Sequence, residues 1–545
     1  MKLLNKNSIL ALGLCSVLFA TSCSSDLDVA PGGSTMTQDA LDGALAQDPS
    51  KLSSMVTGLY ANMIKEGAIA AWYGSTRHYD YGYASAMMMY DNSGQDEVSI
   101  NGGYNWYRNN MRFADRTESS DITYFLWNMY YSNIKAANDI IKSVDLNTAN
   151  ATAKAYVGEA LGMRAFCYLN LIQTYQFTYK GHEDAEGVPI VTEATTSDNA
   201  NNNPRASVKD VYSLIISDLT KAIGDLSGST RSGKEHIDVH VAYGLRARAN
   251  LVMQNWNDAA ADAAKAAEGF TPLSKTGASA PGFNDIGATN WIWGMDVNET
   301  NDIVQSGIIN FPSMMCAFTG NGYSPTYAPR LINSKLWAQI PSTDVRKGWW
   351  LDKSFNSPII DTTRAVKSVY NGKTYVAVYN ASKAEVADIN YPYQNVKFGA
   401  YKNDYGNETN ACDVPLMRVE EMLLIQAEAK AMGGDVPGGK AILENFVRTY
   451  RDPNYTCTAT TAEDVQNAVW HQRRVELWGE GFSFFDLLRL KKPLDRTGTN
   501  YESSVSYQLP AESQIFLWII PEDEINNNAA LKGHNNPVVA APVAK

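Results

Sequence analysis

Residues 241–268 read VAYGLRARANLVMQNWNDAAADAAKAAE, and their reading decides the fold. Alanine is the strongest helix former, and the first half carries large apolar residues at helical spacing up to Leu251. Asn255-Trp256-Asn257-Asp258 then supplies the short polar side chains that cap a helix start. A second alanine-rich helix is predicted from Ala259. Small side chains let two helices approach closely, so the segment predicts a helix–turn–helix pair.

The same logic extends outward. Leu251, Ala260, Ala264 and Ala267 fall where tetratricopeptide-like helix pairs place one large and three small residues. Trp127, Tyr130, Tyr131, Ile134, Ala137, Ile140 and Ile141 recur at helical spacing. Residues 155–175 continue helical, with Leu161, Ala165, Tyr168 and Leu169 on one side. In 208–226, Val211, Leu214, Ile215, Leu219 and Ile223 form the stripe, with Asp210 and Asp218 polar. A second pair is predicted at 414–432 and 437–450 around Gly433-Gly434. The expected fold class is mainly α: a superhelical scaffold of tetratricopeptide-like helix pairs with long loops and a few short strands. Residues 270–410 interrupt it with Gly, Pro, Asn, Ser and Thr and with short β-rich runs at 366–370 and 374–379. Long irregular segments in a compact fold are commonly functional.

The N-terminus reads as an export device. Lys2 and Lys6 precede an apolar run over 9–20, shorter than the roughly 20 residues a membrane-spanning helix needs. Ala20-Thr21-Ser22-Cys23 resembles the lipobox of bacterial lipoproteins, with Ala20 where Leu is usual. The reading is a signal peptide over 1–22, a lipid anchor at Cys23 and a spacer over 23–50. Two acyl chains hold a protein stably to a bilayer. The net charge is −12, and losing Lys2 and Lys6 makes the mature chain more acidic. Nucleic-acid binding relies on Lys and Arg at phosphates, so that class is excluded. Cys167, Cys316, Cys412 and Cys457 remain, without the closely spaced pairs of a four-cysteine zinc site. Cys167 reads as a core residue; a Cys412–Cys457 disulfide is compatible with an exported protein.

Several stretches then resemble the SusD/RagB family of outer-membrane nutrient-binding lipoproteins. Asp26-Leu27-Asp28-Val29-Ala30-Pro31 is similar to the family's start. Arg164-Ala165-Phe166-Cys167-Tyr168-Leu169-Asn170-Leu171 resembles its central helix, and Gly187-Val188-Pro189-Ile190-Val191 the strand after it. Arg205, Val211-Tyr212 and Asp218-Leu219 resemble the next helix. The run 418–428, Arg473-Arg474-Val475-Glu476-Leu477, the run 479–489, Ile519-Ile520-Pro521, Glu524-Ile525 and Asn535-Asn536-Pro537 resemble the C-terminal signature. The resemblance implies an N-terminal region over 51–330 with helix pairs and ligand loops, and a C-terminal region over 331–545 packed on the same body. It implies a non-catalytic protein at the outer membrane, facing the cell exterior. Its implied partner is a SusC-like, TonB-dependent transporter, to which it hands glycans or, in some members, peptides. No cofactor is implied.

The candidate ligand site is aromatic. Residues 72–107 hold Trp72, Tyr73, Tyr79, Tyr81, Tyr83, Tyr90, Tyr104, Trp106 and Tyr107, far denser than the 11% aromatic content of the chain. Interspersed Gly and Asn place most of them on loops. Flat rings with a polar handle suit the apolar C–H face and hydroxyl rim of a sugar. Arg77, Asp80, Asp91, Asn92 and Asn105 are candidates for hydrogen bonds at that rim. A second region holds Trp291, Trp293 and the stretch from Phe318 to Tyr327, whose loop Gly320-Asn321-Gly322-Tyr323-Ser324-Pro325 supplies Asn321 and Tyr323 as candidate contacts. The expected ligand residues are Trp72, Tyr73, Arg77, Tyr79, Asp80, Tyr81, Asn92, Trp106, Tyr107, Trp291, Asn321 and Tyr323.

Two constellations resemble catalytic or metal sites. Glu476 and Glu480 share a helix face, the arrangement a glycosidase needs if the carboxylates are free. Arg473, Arg474 and Arg489 lie close in sequence, so ion pairing is expected, which keeps both ionised and unsuited to acid catalysis. His236 and His240 are also four apart, without an evident third ligand for a metal. No GxSxG, HExxH or phosphate-loop motif is present.

Overall fold

The apolar stripes become long helices with identifiable starts. A computed structural model describes residues 51–67 and 77–544; the leader, Cys23, the 23–50 spacer, Trp72 and Tyr73 lie outside them. Met55–Lys545 make up one compact unit. Of the other unit, Met1–Ser54, only residues 51–54 are described, at the start of helix α1 (Lys51–Met63).

Five helices follow each other in space as in sequence: α2 (Asp121–Lys142), α3 (Ala151–Tyr175), α4 (Val208–Leu226), α5 (Val239–Met253) and α6 (Trp256–Ala267). Side-chain oxygens fix three of the starts. Asn150 accepts from Ala153 N, Ser207 from Asp210 N and Asp238 from Val241 N. Each such cap contributes about 1 kcal/mol. The chain then departs, and the array resumes with α7 (Val419–Met432), α8 (Val436–Tyr450) and α9 (Ala462–Glu476). Helix α7 packs on α6, with α8 and α9 against α7. The mainly helical architecture is therefore a stack of helix pairs, opened once for an insert of residues 268–418.

The insert leaves and returns at neighbouring points. Strand β1 (Trp291–Met295) pairs antiparallel with β2 (Val414–Arg418), which runs directly into α7. The sequence predicts 414–432 as one helix, but its first five residues are strand. Pro415 disfavours helical backbone in Val414 before it, and both strands are fully buried. A second difference concerns α6. Its buried face is Ala259, Asp262, Ala263 and Ala266, not the expected Ala260, Ala264 and Ala267. Alanine on every face carries no phase; Arg246, which grips Asp262 through Nε and Nη2, marks the buried side.

Within the insert, Ala365–Tyr370, Lys373–Tyr379 and Glu385–Ile389 form an antiparallel meander. Glu97–Ser99 pairs antiparallel with Arg330–Ile332. All four described cysteines are buried and free; Cys412 and Cys457 form no disulfide.

Glu476 and Glu480 lie inside a buried ion cluster. Arg418 reaches Glu476 Oε1 at 3.1 Å and Glu480 Oε1 at 2.8 Å. Arg451 Nε donates to Glu476 at 2.8 Å, Arg346 to Glu476 at 3.2 Å, and Lys397 Nζ to Glu480 at 2.7 Å. Burial alone pushes the Glu476 carboxyl up, but the Arg451, Arg418 and Arg346 guanidiniums hold it well below its ordinary range. Lys397 is pushed down to about 8 by burial, against the pull of Glu480. The carboxylates are ion-paired as the sequence leads one to expect, but by Arg346, Arg418, Arg451 and Lys397; the expected Arg473, Arg474 and Arg489 pair instead with Asp486, Asp96 and Glu428, and Glu480 lies past the end of α9. His236 Nδ1 lies 2.7 Å from Glu159 and His240 Nδ1 lies 3.2 Å from the Lys265 carbonyl.

Candidate functional site

The pairing of Glu97–Ser99 with Arg330–Ile332 builds the site. It brings the 77–107 segment alongside the chain that precedes residue 330, and the two aromatic regions meet there. His78 stacks on Trp106 with ring centroids 4.3 Å apart and planes 27° apart. Its Nδ1 lies 2.5 Å from the Tyr323 hydroxyl. Tyr104 stacks on Tyr323 at 5.5 Å, and Tyr327 meets Tyr104 edge-on at 5.5 Å and 74°. Trp106 stands edge-on to Tyr323 at 6.2 Å. Tyr104 and Tyr327 are 53% and 57% exposed, so two large rings set edge to face point outward over the Trp106, His78 and Tyr323 base.

Buried neighbours hold these rings in place. Asn105 and Tyr107, on either side of Trp106, are anchors. Asn105 Nδ2 donates to Ile100 O at 2.6 Å, while its Oδ1 accepts from Tyr107 N and from Arg330 Nη1. The Tyr107 hydroxyl bonds Ser85 at 2.9 Å and also Tyr81. On the other side, Tyr323 N and Ser324 N both donate to Ser313 O, and Ala328 N to Tyr323 O. Gly322 is required there, since a Cβ would lie 2.6 Å from Ser313 Cα.

The platform is uncharged at neutral pH. Burial lowers the His78 imidazole below its ordinary value, so it is neutral. Burial raises the Tyr323 hydroxyl, against the influence of the nearby Trp106 N–H. That N–H makes no hydrogen bond of good geometry within the protein, leaving a buried donor in the platform.

The structure corrects six of the expected ligand residues. Tyr79, Asp80, Tyr81, Asn92, Tyr107 and Trp291 are 6% exposed or less and lie in the core. Tyr81, Asn92 and Tyr107 belong to a buried polar network. In it Asn92 Nδ2 donates to Glu97 at 2.6 Å and Asn92 Oδ1 accepts from Ser99. Trp291 fills the β1–β2 seam opposite Arg418. The segment expected to be mostly loop contains the buried helix Tyr83–Ser93, which draws these rings inward. Arg77 is paired with Asp121 at 3.3 Å, and Asn321 is half-buried with its amide turned toward Gly307 O. Of the described candidates, Trp106 and Tyr323 come together. His78, Tyr104 and Tyr327 complete the cluster without having been singled out as ligand residues. Tyr104 belonged to the aromatic run and Tyr327 closed the second region, but His78 had no signal beyond its place in the segment.

A cavity of about 1050 Å³ lies elsewhere, between Trp337, Lys347, Trp350, Phe355 and Val366. Its indole surfaces are already covered. Lys347 Nζ sits 4.2 Å over Trp337, Tyr393 meets Trp337 edge-on, and Trp349 and Trp478 flank Trp350. The exposed platform is the better-built aromatic surface.

Comparison with known proteins agrees with this architecture. Residues 328–538 match the model of the SusD family, and residues 32–251 match a family described as starch-binding, associating with the outer membrane. A SusD-like protein of Formosa agariphila is 25% identical over 415 residues, covering 70% of this chain and 75% of its own length. One from Bacteroides ovatus is 23% identical over 264 residues, covering 47% of this chain and 41% of its own. Among solved structures, a SusD-like carbohydrate-binding protein from Bacteroides vulgatus superposes with a TM-score of 0.70 at 24% identity, covering 90% of this chain and 98% of that one. A laminarin-binding SusD-like protein superposes at 0.62 and 18% identity, covering 90% and 99%. The structural likenesses establish the fold. The two family matches, which follow one another along the chain over residues 32–251 and 328–538, identify this protein as a member of the SusD/RagB family.

Proposed function

We propose that this protein is a non-catalytic, cell-surface lipoprotein that captures glycans and delivers them to a SusC-like, TonB-dependent transporter in the outer membrane. The observation that carries the reading is the pair of exposed, edge-to-face rings of Tyr104 and Tyr327 over the Trp106–His78–Tyr323 base. Neutral rings with hydroxyl and N–H edges stack on sugar faces and bond their rims. Family membership and the names carried by its relatives support the same class. The one carboxylate pair that resembled a glycosidase centre is locked in buried guanidinium contacts, which supports binding over hydrolysis. No described helix is long and apolar enough to cross a membrane, in keeping with attachment through Cys23.

Calorimetry of the soluble chain from residue 24 against starch and laminarin oligosaccharides and a peptide pool tests the ligand class. Trp106→Ala and Tyr104→Ala should each weaken glycan binding by roughly 1–3 kcal/mol, the scale of a lost aromatic stack. Peptide capture with no glycan bound, or new reducing ends during incubation, would replace the reading with a peptide importer or a glycosidase. Cys23→Ala should leave binding in solution intact and abolish membrane association in cells lacking the transporter, read by membrane flotation.

A further inference from the structure

The loop that presents Tyr323 and Tyr327 is sewn to the meander. Thr326 Oγ1 donates to Asp388 O at 2.8 Å, and Gln394 Nε2 donates to Ser324 O at 2.7 Å and Pro325 O at 3.0 Å. Next to this seam lies an open cleft of about 740 Å³, lined by Tyr370, Tyr375, Tyr391, Lys373, Glu385 and Asp388. That volume falls in the range of ligand sites, a few hundred to about 1,000 Å³. Tyr370 is 68% exposed, and Tyr375 and Tyr391 are half-buried. Three phenol rings therefore border a space whose wall, at Asp388, is hydrogen-bonded to Thr326, the residue before Tyr327.

The polar groups of the cleft give it a character of its own. Asp388 Oδ1 makes no hydrogen bond of good geometry within the protein, although the Glu385 carboxyl lies within reach of the same group. Asp388 stands across the strand pair at Ala377, two residues from Tyr375, within reach of a long side chain on the same face. Burial and the neighbouring Glu385 raise the Asp388 carboxyl above its ordinary value, so negative charge is already crowded there. Carboxylates accept hydrogen bonds from sugar hydroxyls and repel sulfate and uronate groups.

We infer that the Tyr370–Tyr375–Tyr391 cleft is a second sugar subsite continuous with the Tyr104–Tyr327 platform, so that the protein grips long, uncharged oligosaccharides in preference to short or anionic ones. The inference rests on the glycan-binding reading above. Two weak subsites on one chain raise affinity through effective concentration, without either being strong.

The test is calorimetry of the soluble protein with maltose and maltoheptaose, laminaribiose and laminariheptaose, and an oligogalacturonate heptamer as the anionic probe. For whichever neutral series binds, the heptasaccharide should bind at least tenfold tighter than the disaccharide. The double variant Tyr375→Ala/Tyr391→Ala should lose at least fivefold of the heptasaccharide affinity and leave the disaccharide unchanged. Tyr370→Ala, whose ring is too exposed to support the fold, should act in the same direction. Asp388→Asn should narrow the discrimination against oligogalacturonate. If the cleft variants leave heptasaccharide affinity unchanged while Trp106→Ala removes it, the second subsite is wrong and the glycan-binding reading stands. If no oligosaccharide binds the wild type, both fall together.

Discussion

Glu97 sits directly behind the aromatic platform and ties its buried supports together. It accepts from Asn92 Nδ2 at 2.6 Å and faces Arg330 at 3.5 Å, while Arg330 also holds Asn105 beside Trp106. Burial raises the Glu97 carboxyl from 4.5 to about 7, although Arg330 and Asn92 pull it down. Between about pH 4.5 and 7 the folded chain keeps a proton here that the unfolded chain has released. Stability should therefore fall as pH rises through that window and level off above it, by roughly 3 kcal/mol at most. Buried Asp91, likewise raised by burial and by Glu97, titrates in the same direction. The urea midpoint of the wild type should drop between pH 5 and pH 8, and Glu97→Gln should flatten that drop. An equal drop in the variant would put the titration elsewhere. The sequence marks this region as aromatic and polar but not which way each residue faces. Tyr81 and Tyr107 went inside because their hydroxyls find each other, whereas Tyr104 and Tyr327 stay outside. Asp218 shows the same limit: it reads as a polar position and is a buried partner of Arg164 at 2.7 Å.

At the scale of elements, glycines on two helices make opposite predictions. Gly439 on α8 faces α7, where a Cβ would lie 2.4 Å from Ala427 O and 2.8 Å from Ala431 Cβ. Gly439→Ala forces the pair apart and should destabilise by about 1–3 kcal/mol. Gly224 near the end of α4 has nothing within 4 Å of a Cβ, so Gly224→Ala should stabilise by up to about 1 kcal/mol. Thermal melts of the two variants should shift in opposite directions; a common sign would mean that helix propensity, not the α7–α8 contact, governs Gly439. The helices themselves were legible because their apolar residues recur with the helical period over many turns. The ends of the insert were not. Residues 414–417 are apolar, and a buried strand and a buried helix then look alike until Pro415 and the partner strand at 291–295 decide. Alanine-rich α6 was legible as a helix but not in its rotation.

The unit Met55–Lys545 is a helical stack interrupted by an insert that carries two of the five rings of the aromatic platform and all of the proposed second cleft. The insert returns to the stack at Arg418, and the ion cluster around that residue joins the two parts. Its members come from the insert (Arg346, Lys397, Arg418), from α7 (Glu420), from the end of α8 (Arg451) and from α9 and its continuation (Glu476, Glu480). Replacing such a cluster wholly by apolar groups can be neutral, but removing one partner strands the others as uncompensated buried charges, at about 3–5 kcal/mol. Arg418→Met removes the cation shared by three glutamates. It should lower the unfolding free energy by about that amount. Its effect should also be local: amide exchange should accelerate in Trp291–Met295 and Val414–Arg418 well before it changes in Asp121–Lys142 and Ala151–Tyr175, because the lost contacts hold the insert. Since Tyr323 and Tyr327 ride on the insert while Tyr104 and Trp106 do not, loosening the seam should misalign the two halves of the platform. Glycan affinity should then fall in a variant whose substitution lies outside the ring cluster. Uniform acceleration across all helices, or full affinity with a loosened seam, would show that the insert is held by its apolar packing and that the ion cluster does not align the site.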